Sequence, residues 1–283
     1  MESAYEPQTL QEAIVYFASP DNCLNYLARK RWPNGVTCPT CGSQSVIFLA
    51  NQRRWKCREK HDRPQFSVKV GTVMEDSPIG LDKWLCAMWQ IVNCKNGISS
   101  YEVHRAIGIT QKSAWFLDHR IRFALGLAPG NKLSGQVEAD ETFIGGKARN
   151  MHATKRARVI TGTGGTDKTA VMGILERGPN SVGSKVRVKV VDNTKKKTLL
   201  RGEVHTNGLE NFWSLVKRGL KGTYISVEPF HLFRYLDEQV FRYNNRKMND
   251  GDRFNIVVRE IVGKRLTWGQ LTGKNADNPP SAN

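Results

Sequence analysis

Apolar positions recur along the chain with two different periods, and the change from one to the other divides it. Near the N-terminus Thr9 and Glu12 stand ahead of an apolar run over 13–17, the signature of a capping box opening a short helix. Ser19-Pro20-Asp21 restarts the chain, residues 22–31 continue as a second helix with a basic end, and Pro33-Asn34-Gly35 closes it as a turn. Residues 37–75 carry shorter runs, and 46–50, 54–57 and 66–70 predict strands. Helical spacing then holds over 79–128, in segments 81–95, 99–107 and 110–125, with a break at Gly108-Ile109. Beyond Gly130 the texture becomes strand-like at 136–144, 169–176 and 185–191, with a Gly- and Arg/Lys-rich loop over 145–168. Helical patterns return over 208–219 and 230–243, and a polar tail from 273 to 283 is expected to be disordered.

The 283 residues allow about two domains, or three small ones. A hydrophobic content of 39% supports real cores and argues against global disorder. Charge changes the picture more: 43 Lys and Arg against 26 Asp and Glu give +17, an excess whose usual causes are a polyanionic partner or a membrane surface, with nucleic acid the leading partner. No run of 18 apolar residues exists to cross a membrane, and the acidic N-terminus does not read as a secretory signal. Six cysteines in such a chain are expected as metal ligands and free core thiols, not disulfides.

Cys38-Pro39-Thr40-Cys41-Gly42 is a two-thiolate knuckle, and Cys57 with His61 follows sixteen residues on as C-x3-H. Four such ligands suit tetrahedral zinc, and a metal substitutes for the core that thirty-odd residues cannot build. His61 is the least regular of the four, and Asp62 is the competing ligand. Cys23, Cys86 and Cys94 have no such partners.

Residues 96–115 resemble a helix-turn-helix: Ser99 caps the first helix, Gly108 makes the turn and Thr110 caps the second. Gln111, Lys112 and Ser113 would then sit at the N-terminal end of a recognition helix, with Arg120 and Arg122 extending its basic side. A small helical bundle that only links two domains is the competing reading. Further on, Glu138-Ala139-Asp140-Glu141 places three acids in a strand, Glu138 and Asp140 on one face and Glu141 on the other. A carboxylate amid buried strand residues is costly unless it meets a cation, of which a metal ion is the natural one; a strand end with solvated acids is the competing reading. In His205-Thr206-Asn207-Gly208-Leu209-Glu210-Asn211-Phe212-Trp213, followed by Lys217, the residues Glu210, Trp213 and Lys217 fall on one helical face.

The cysteine cluster, the helix-turn-helix, EADETFIGGK and HTNGLENFWSLVKRG followed by YLDEQVFRYNNR occur in this order. Over roughly residues 20–255 the chain resembles the bacterial insertion-sequence transposases of the ISXO type. The resemblance implies an α/β chain with an N-terminal zinc ribbon and helix-turn-helix, followed by a truncated RNase-H-like mixed sheet with helices. It divides the chain into N-terminal helices (1–36), zinc ribbon (37–77), helix-turn-helix region (78–130), an incomplete RNase-H-like transposase domain (131–272) and the tail. It implies Asp140 as first catalytic carboxylate, Glu210 as the third position with Asn207 competing, and Lys217 as the basic partner. Structural zinc on Cys38, Cys41, Cys57 and His61, and catalytic magnesium on Asp140 and Glu210, are implied with it. So are Mg-dependent cleavage at element ends, strand transfer to target DNA, double-stranded DNA as partner, a homo-oligomer on that DNA, and a cytoplasmic, nucleoid-associated location. The basic loop, with Lys147, Arg149, Lys155, Arg156, Arg158 and Lys168, and the run Lys195 to Lys197 fit contact with the DNA backbone.

One departure matters. Only residues 193–204 separate Asp192 from His205, where the family carries several tens more, including its second catalytic Asp. With strands about 4.8 Å apart, Asp192 on the third strand would sit roughly 10 Å sideways from Asp140, too far for metals that share a ligand pair. Recruitment of Asp192 or Glu203 by a rearranged sheet is the escape route. The expectation is therefore a transposase with a damaged metal site. The competing readings are an active Mg-dependent enzyme, a catalytically inactive DNA-binding remnant that inhibits intact copies, and a zinc-dependent transcription regulator.

Overall fold

The computed structural model describes residues 5–126, 137–145, 152–159, 168–178, 183–191, 207–225 and 227–274, and the chain divides into two compact units. The polar tail beyond residue 274 lies outside the described residues.

The first unit takes residues 1–94, 98–125 and 248–280. Helix α1 (Leu10–Phe17) starts where the sequence puts it, with Thr9 Oγ1 accepting from the Glu12 amide; α2 (Pro20–Arg31) begins at Pro20, ahead of the expected 22–31, because Ser19 Oγ accepts from the Asn22 amide and caps the first turn there. Three short strands follow, β1 (Val46–Leu49), β2 (Arg54–Cys57) and β3 (Gln65–Phe66), paired antiparallel in that order. The strand expected over 66–70 ends at Phe66. Turns replace it, as the Val70 amide bonds to Ser67 O and the Thr72 amide to Lys69 O.

Helices α3 (Leu81–Asn93), α4 (Ser100–Ile107) and α5 (Gln111–Leu125) match the helical segments read from the sequence. Ser99 and Glu102 close a reciprocal capping box, and Gly108 ends α4 at φ 61°, a left-handed conformation that glycine adopts without strain. The remaining elements of this unit, α9 (Asp250–Glu260) and α10 (Trp268–Thr272), were not read from the sequence. Phe254, Val257 and Val258 of α9 are fully buried, and the Phe254 ring lies 4.9 Å from that of Trp89 on α3. Residues 248–272, which the resemblance assigns to the transposase domain, thus build the core of the first unit.

The second unit takes residues 95–97 and 126–247. Its strands β4 (Val137–Ile144), β5 (Thr169–Glu176) and β6 (Lys185–Val191) form an antiparallel sheet in sequence order. A short helix, α6 (Ala153–Val159), lies between the first two strands in sequence. Helix α7 (Asn207–Gly222) packs on β4 and β5, and α8 (Leu232–Asn244) on β6. Val171, Leu175, Val186, Leu209, Phe212, Trp213, Leu236 and Val240 fill the space between sheet and helices. Asn244 fixes α8 to β6 through both amide atoms: Oδ1 accepts from the Val186 N–H at 2.7 Å and Nδ2 donates to the Val186 carbonyl at 2.9 Å. This satisfies edge-strand groups that would otherwise be left open.

Candidate metal centre and carboxylate site

The ribbon brings the four sequence-predicted ligands together. One ligand atom from each of Cys38, Cys41, Cys57 and His61 lies within 4.8 Å of all the others. Cys41 Sγ and Cys57 Sγ are 3.6 Å apart, and Cys38 Sγ and His61 Nε2 are 3.4 Å apart. A tetrahedral zinc with Zn–S near 2.3 Å and Zn–N near 2.05 Å has edges of about 3.8 Å and about 3.6 Å between such atoms. The observed edges agree within about 0.2 Å, the tolerance of a plausible site. His61 Nδ1 faces the Asp62 carbonyl at 2.7 Å, so N–H donation there leaves the Nε2 lone pair for the metal. Asp62 therefore contributes a backbone carbonyl that orients the ligand, not a carboxylate.

The thiols are poised unequally. Burial raises the Cys38 pKa, but the amides of Cys41 and Thr40 outweigh it and bring the thiol down to about 7. Burial and the neighbouring thiols push Cys57 up to about 11 against the Glu59 amide. The Asp62 carbonyl heads the causes that raise His61. Cys23, by contrast, is buried and pushed up to about 12, as expected of a core thiol.

The helix-turn-helix segment forms, but its surface differs from the expectation. Arg120 and Arg122 are 4% and 1% exposed, so they do not extend a basic side. Arg120 donates to the Glu75 carbonyl and lies over the Trp84 and Phe116 rings, and burial lowers its pKa to about 10. The cause is α5 itself, whose second half faces the unit's core from residue 117 onward. At its N-terminal end Gln111 donates to Ser100 Oγ at 2.9 Å, and the Ser113 amide donates to Thr110 Oγ1. Lys112 is exposed, with its ammonium 5.0 Å from the Trp268 ring centroid.

In the second unit the two strand carboxylates have separate fates. Glu138 is 2% exposed. Its Oε2 accepts from the Gly208 amide at 3.0 Å and the Leu209 amide at 3.2 Å, which are free donors of the first turn of α7. Its Oε1 accepts from Arg177 Nε at 2.7 Å. The cation it meets is thus a guanidinium and a helix N-terminus, not the metal ion that burial in a strand suggested. Gly208 permits the approach, since a Cβ there would stand 2.8 Å from Oε2.

Asp140 is half-buried, and its Oδ2 accepts from Trp213 Nε1 at 3.0 Å. The indole rests on Gly173, which is opposite Asp140 in the register; a Cβ there would lie 2.5 Å from Trp213 Cζ2. Glu210 is exposed one turn before Trp213 in α7, and residues so spaced have Cβ atoms about 5–6 Å apart. Lys217 is exposed two turns further along the helix. The sequence reading missed Arg177, Gly208 and Gly173. The Gly and Trp of the HTNGLENFW motif were its available signal.

Asn207 opens α7, but its side chain lies outside the described set. Lys147, Arg149, Asp192, the run 195–197 and Glu203 are likewise outside the described residues, as are the side chains of Lys155 and Arg158; Arg156 and Lys168 are exposed. Among the described residues the Cys3His set is the one metal-competent group of three or more ligands, so no three-carboxylate magnesium site is formed there. In the register Asp140 pairs with Gly173, and Gly173 with Val188. Val191, the last described residue of β6, is three positions further along and two strands across, roughly 10 Å in each direction.

A model of the transposase zinc-ribbon domain matches residues 18–61, which include all four ligands. A model of the ISXO2-like transposase domain matches residues 132–202 and 200–244, in two pieces. A protein of Halobacterium salinarum, described as an uncharacterized protein in transposable element ISH50, is 33% identical over 174 residues. The match spans 58% of this chain and 58% of that protein's length. That organism is an archaeon, so the likeness is not restricted to bacterial elements. No solved structure matches the chain.

Proposed function

The chain carries the zinc-ribbon and ISXO2-like transposase domains of an IS1595-family transposase, and from that premise we propose that it binds the DNA ends of its insertion sequence without cleaving them. The observation that carries the second half is the order of the sheet. Strand β6 is two strands from β4, and only residues 193–204 lie between Asp192 and His205 to supply a carboxylate beside Asp140. The two pieces of the transposase-domain match meet at 200–202, within that short connection, which supports an internal deletion. Zinc on Cys38, Cys41, Cys57 and His61 shapes the ribbon. Magnesium would need Asp140, Glu210 and a further acid, and the described residues do not form that set, so no chemical step is assigned to it.

DNA is the partner on three grounds: the +17 charge, exposed basic residues such as Lys112 and Arg156, and the transposase domains. Such a protein acts in the cytoplasm on the nucleoid, as a homo-oligomer when two ends are held together. The competing reading, an active enzyme, is favoured by one feature: Asp140 is half-buried and held by Trp213, which follows Glu210 by one turn of α7. The test is purified zinc-loaded protein on a labelled duplex from the DNA flanking its gene, in Mg and in Mn, with Asp140→Ala alongside. Retardation without cleavage is expected. Cleavage that disappears in Asp140→Ala overturns the proposal.

A further inference from the structure

The zinc ribbon has two unlike faces, and its metal centre uses only one. The strand register puts the rows Val46–Cys57 and Phe48–Trp55–Phe66 on the same face. That face holds the metal cluster and the aromatic packing of Trp32 with Trp55 and Phe66. The alternating rows, Ile47–Lys56–Gln65 and Leu49–Arg54, therefore form the outer face. On it Arg54, Lys56 and Gln65 are exposed, and Ile47 is 41% exposed.

Residues 37–66 hold six basic side chains (Arg53, Arg54, Lys56, Arg58, Lys60 and Arg63) against two acidic ones, Glu59 and Asp62. All six are exposed, and Arg53 is the one that meets a carboxylate, Asp21. Among the described residues the other five form no ion pair. Three thiolates around a divalent zinc leave about one net negative charge, which does not balance them. Arg54 and Lys56 point the same way from one strand, about 6.7 Å apart, with no internal counter-charge. Like charges so placed are relieved by an external polyanion.

We propose that this outer face is a contact surface for the backbone of duplex DNA, distinct from the helix-turn-helix. The proposal rests on the reading that the chain binds DNA and adds a second surface to it. A sheet face is a known way to meet a groove or its phosphates, and the extended Gln65 and the apolar Ile47 can lie against sugar and base edges between the cations. The ribbon's aromatic rings all belong to the other face, so the outer face lacks the stacking platform that single strands require, which favours duplex.

The test uses the full zinc-loaded chain and two variants, Arg54→Ala with Lys56→Ala, and Arg54→Gln with Lys56→Gln. Neither touches a zinc ligand. Affinity is measured over a range of salt, on the flanking duplex and on a scrambled duplex of equal length, with zinc content read per chain. Two lost phosphate contacts make the slope of log affinity against log salt shallower by about 1.8. Affinity is expected to fall about tenfold at low salt, alike on both duplexes, with zinc retained. Unchanged affinity and slope in a zinc-retaining variant overturn the proposal, as does a loss confined to the flanking duplex, which would mark base readout. If the parent chain retards neither duplex, the DNA-binding reading itself fails, and that result is distinct from parent and variants binding equally.

Discussion

Glu138 is the residue whose removal most directly tests how β4 and α7 are joined. Replacement by alanine takes the acceptor from two first-turn amides of α7 and strips Arg177 of its partner. Arg177 is 40% exposed and rehydrates, so its share is small, about 0–1 kcal/mol. The two amides lose charge-assisted bonds next to a helix N-terminus, and a small cavity opens at a site 2% exposed. Together these make Glu138→Ala destabilising by about 3 kcal/mol. Glu138→Gln keeps one acceptor but loses the charge, and costs about 2 kcal/mol. The chain has two compact units, so a single global unfolding curve is the wrong readout. Hydrogen exchange at the Gly208 and Leu209 amides reads the cap itself: a loss of about 3 kcal/mol speeds exchange by about two decades. Glu141→Ala, on the exposed face of the same strand, is the control and should stay within about 0.5 kcal/mol. If both Glu138 variants leave those amides exchanging at the parent rate, the carboxylate does not cap α7 and the reasoning fails.

Three further outcomes follow from other contacts. Gly173→Ala drives a Cβ to 2.5 Å from the Trp213 ring, costs about 1–3 kcal/mol and shifts indole emission; adding Trp213→Phe should recover part of the loss, and purely additive changes in the amide-exchange protection of β5 and α7 would show that the two residues do not meet. Stripping zinc with a strong chelator should unfold residues 37–66 and expose Trp55, with Cys41→Ser behaving like the stripped protein; a ribbon spectrum unchanged without metal would refute the metal's structural role. For Glu6, burial would raise the pKa, but the Lys30 ammonium and the Asn255 amide outweigh it and lower it below the ordinary 4.5. A lowered folded-state value gives stability that is full above the unfolded value near 4.5 and is lost as pH falls through the folded pKa, so Lys30→Met should flatten the acid limb of a pH–stability profile, and an unaltered limb would count against the pair.

What the sequence made legible was local. The Thr9, Ser99 and Thr110 caps each close within three residues and sit where the pattern puts them, while Ser19 caps α2 by an equally local bond that the reading of 22–31 passed over. The Cys38-x-x-Cys41 knuckle is equally local, and its pairing with Cys57 and His61 needs only one hairpin. Long-range partners were not legible. Glu138 meets amides 70 and 71 residues away, so its sequence surroundings cannot distinguish a metal ligand from a helix cap. Arg120 and Arg122 read as a basic helix face because burial of α5 depends on α3, α9 and α10 around it. Helix α9 is a different case: Asn249 caps it by accepting from the Asp252 amide, and Phe254, Val257 and Val258 have helical spacing, so a local signal was present and passed over.

That helix also decides what damage to the transposase domain does to the rest of the chain. The first unit is discontinuous, because its last segment, 248–280, follows the main segment of the second unit, 126–247, in sequence. Within that segment Phe254, Val257, Val258, Ile261, Leu266 and Leu271 are each at most 2% exposed. At about 1.5–3 kcal/mol for each large apolar side chain fully buried, they account for about 9–18 kcal/mol of transfer free energy. That is comparable with the whole net stability of a typical domain, about 5–15 kcal/mol. A chain ending at residue 247 should therefore fail to fold its first unit, although it keeps every zinc ligand and all of α3, α4 and α5. An in-frame loss between Asp192 and His205 removes no part of the first unit and keeps the closing helices. The fold of the first unit is therefore expected to tolerate a deletion at that place but not a frameshift or early stop there, and on the proposed reading DNA binding would follow it. Comparing the full chain with a 1–247 version by the dispersion of amide and indole resonances separates the outcomes. A well-dispersed spectrum for the helical part of the truncated chain would show that α9 is dispensable and that binding without cleavage needs another explanation.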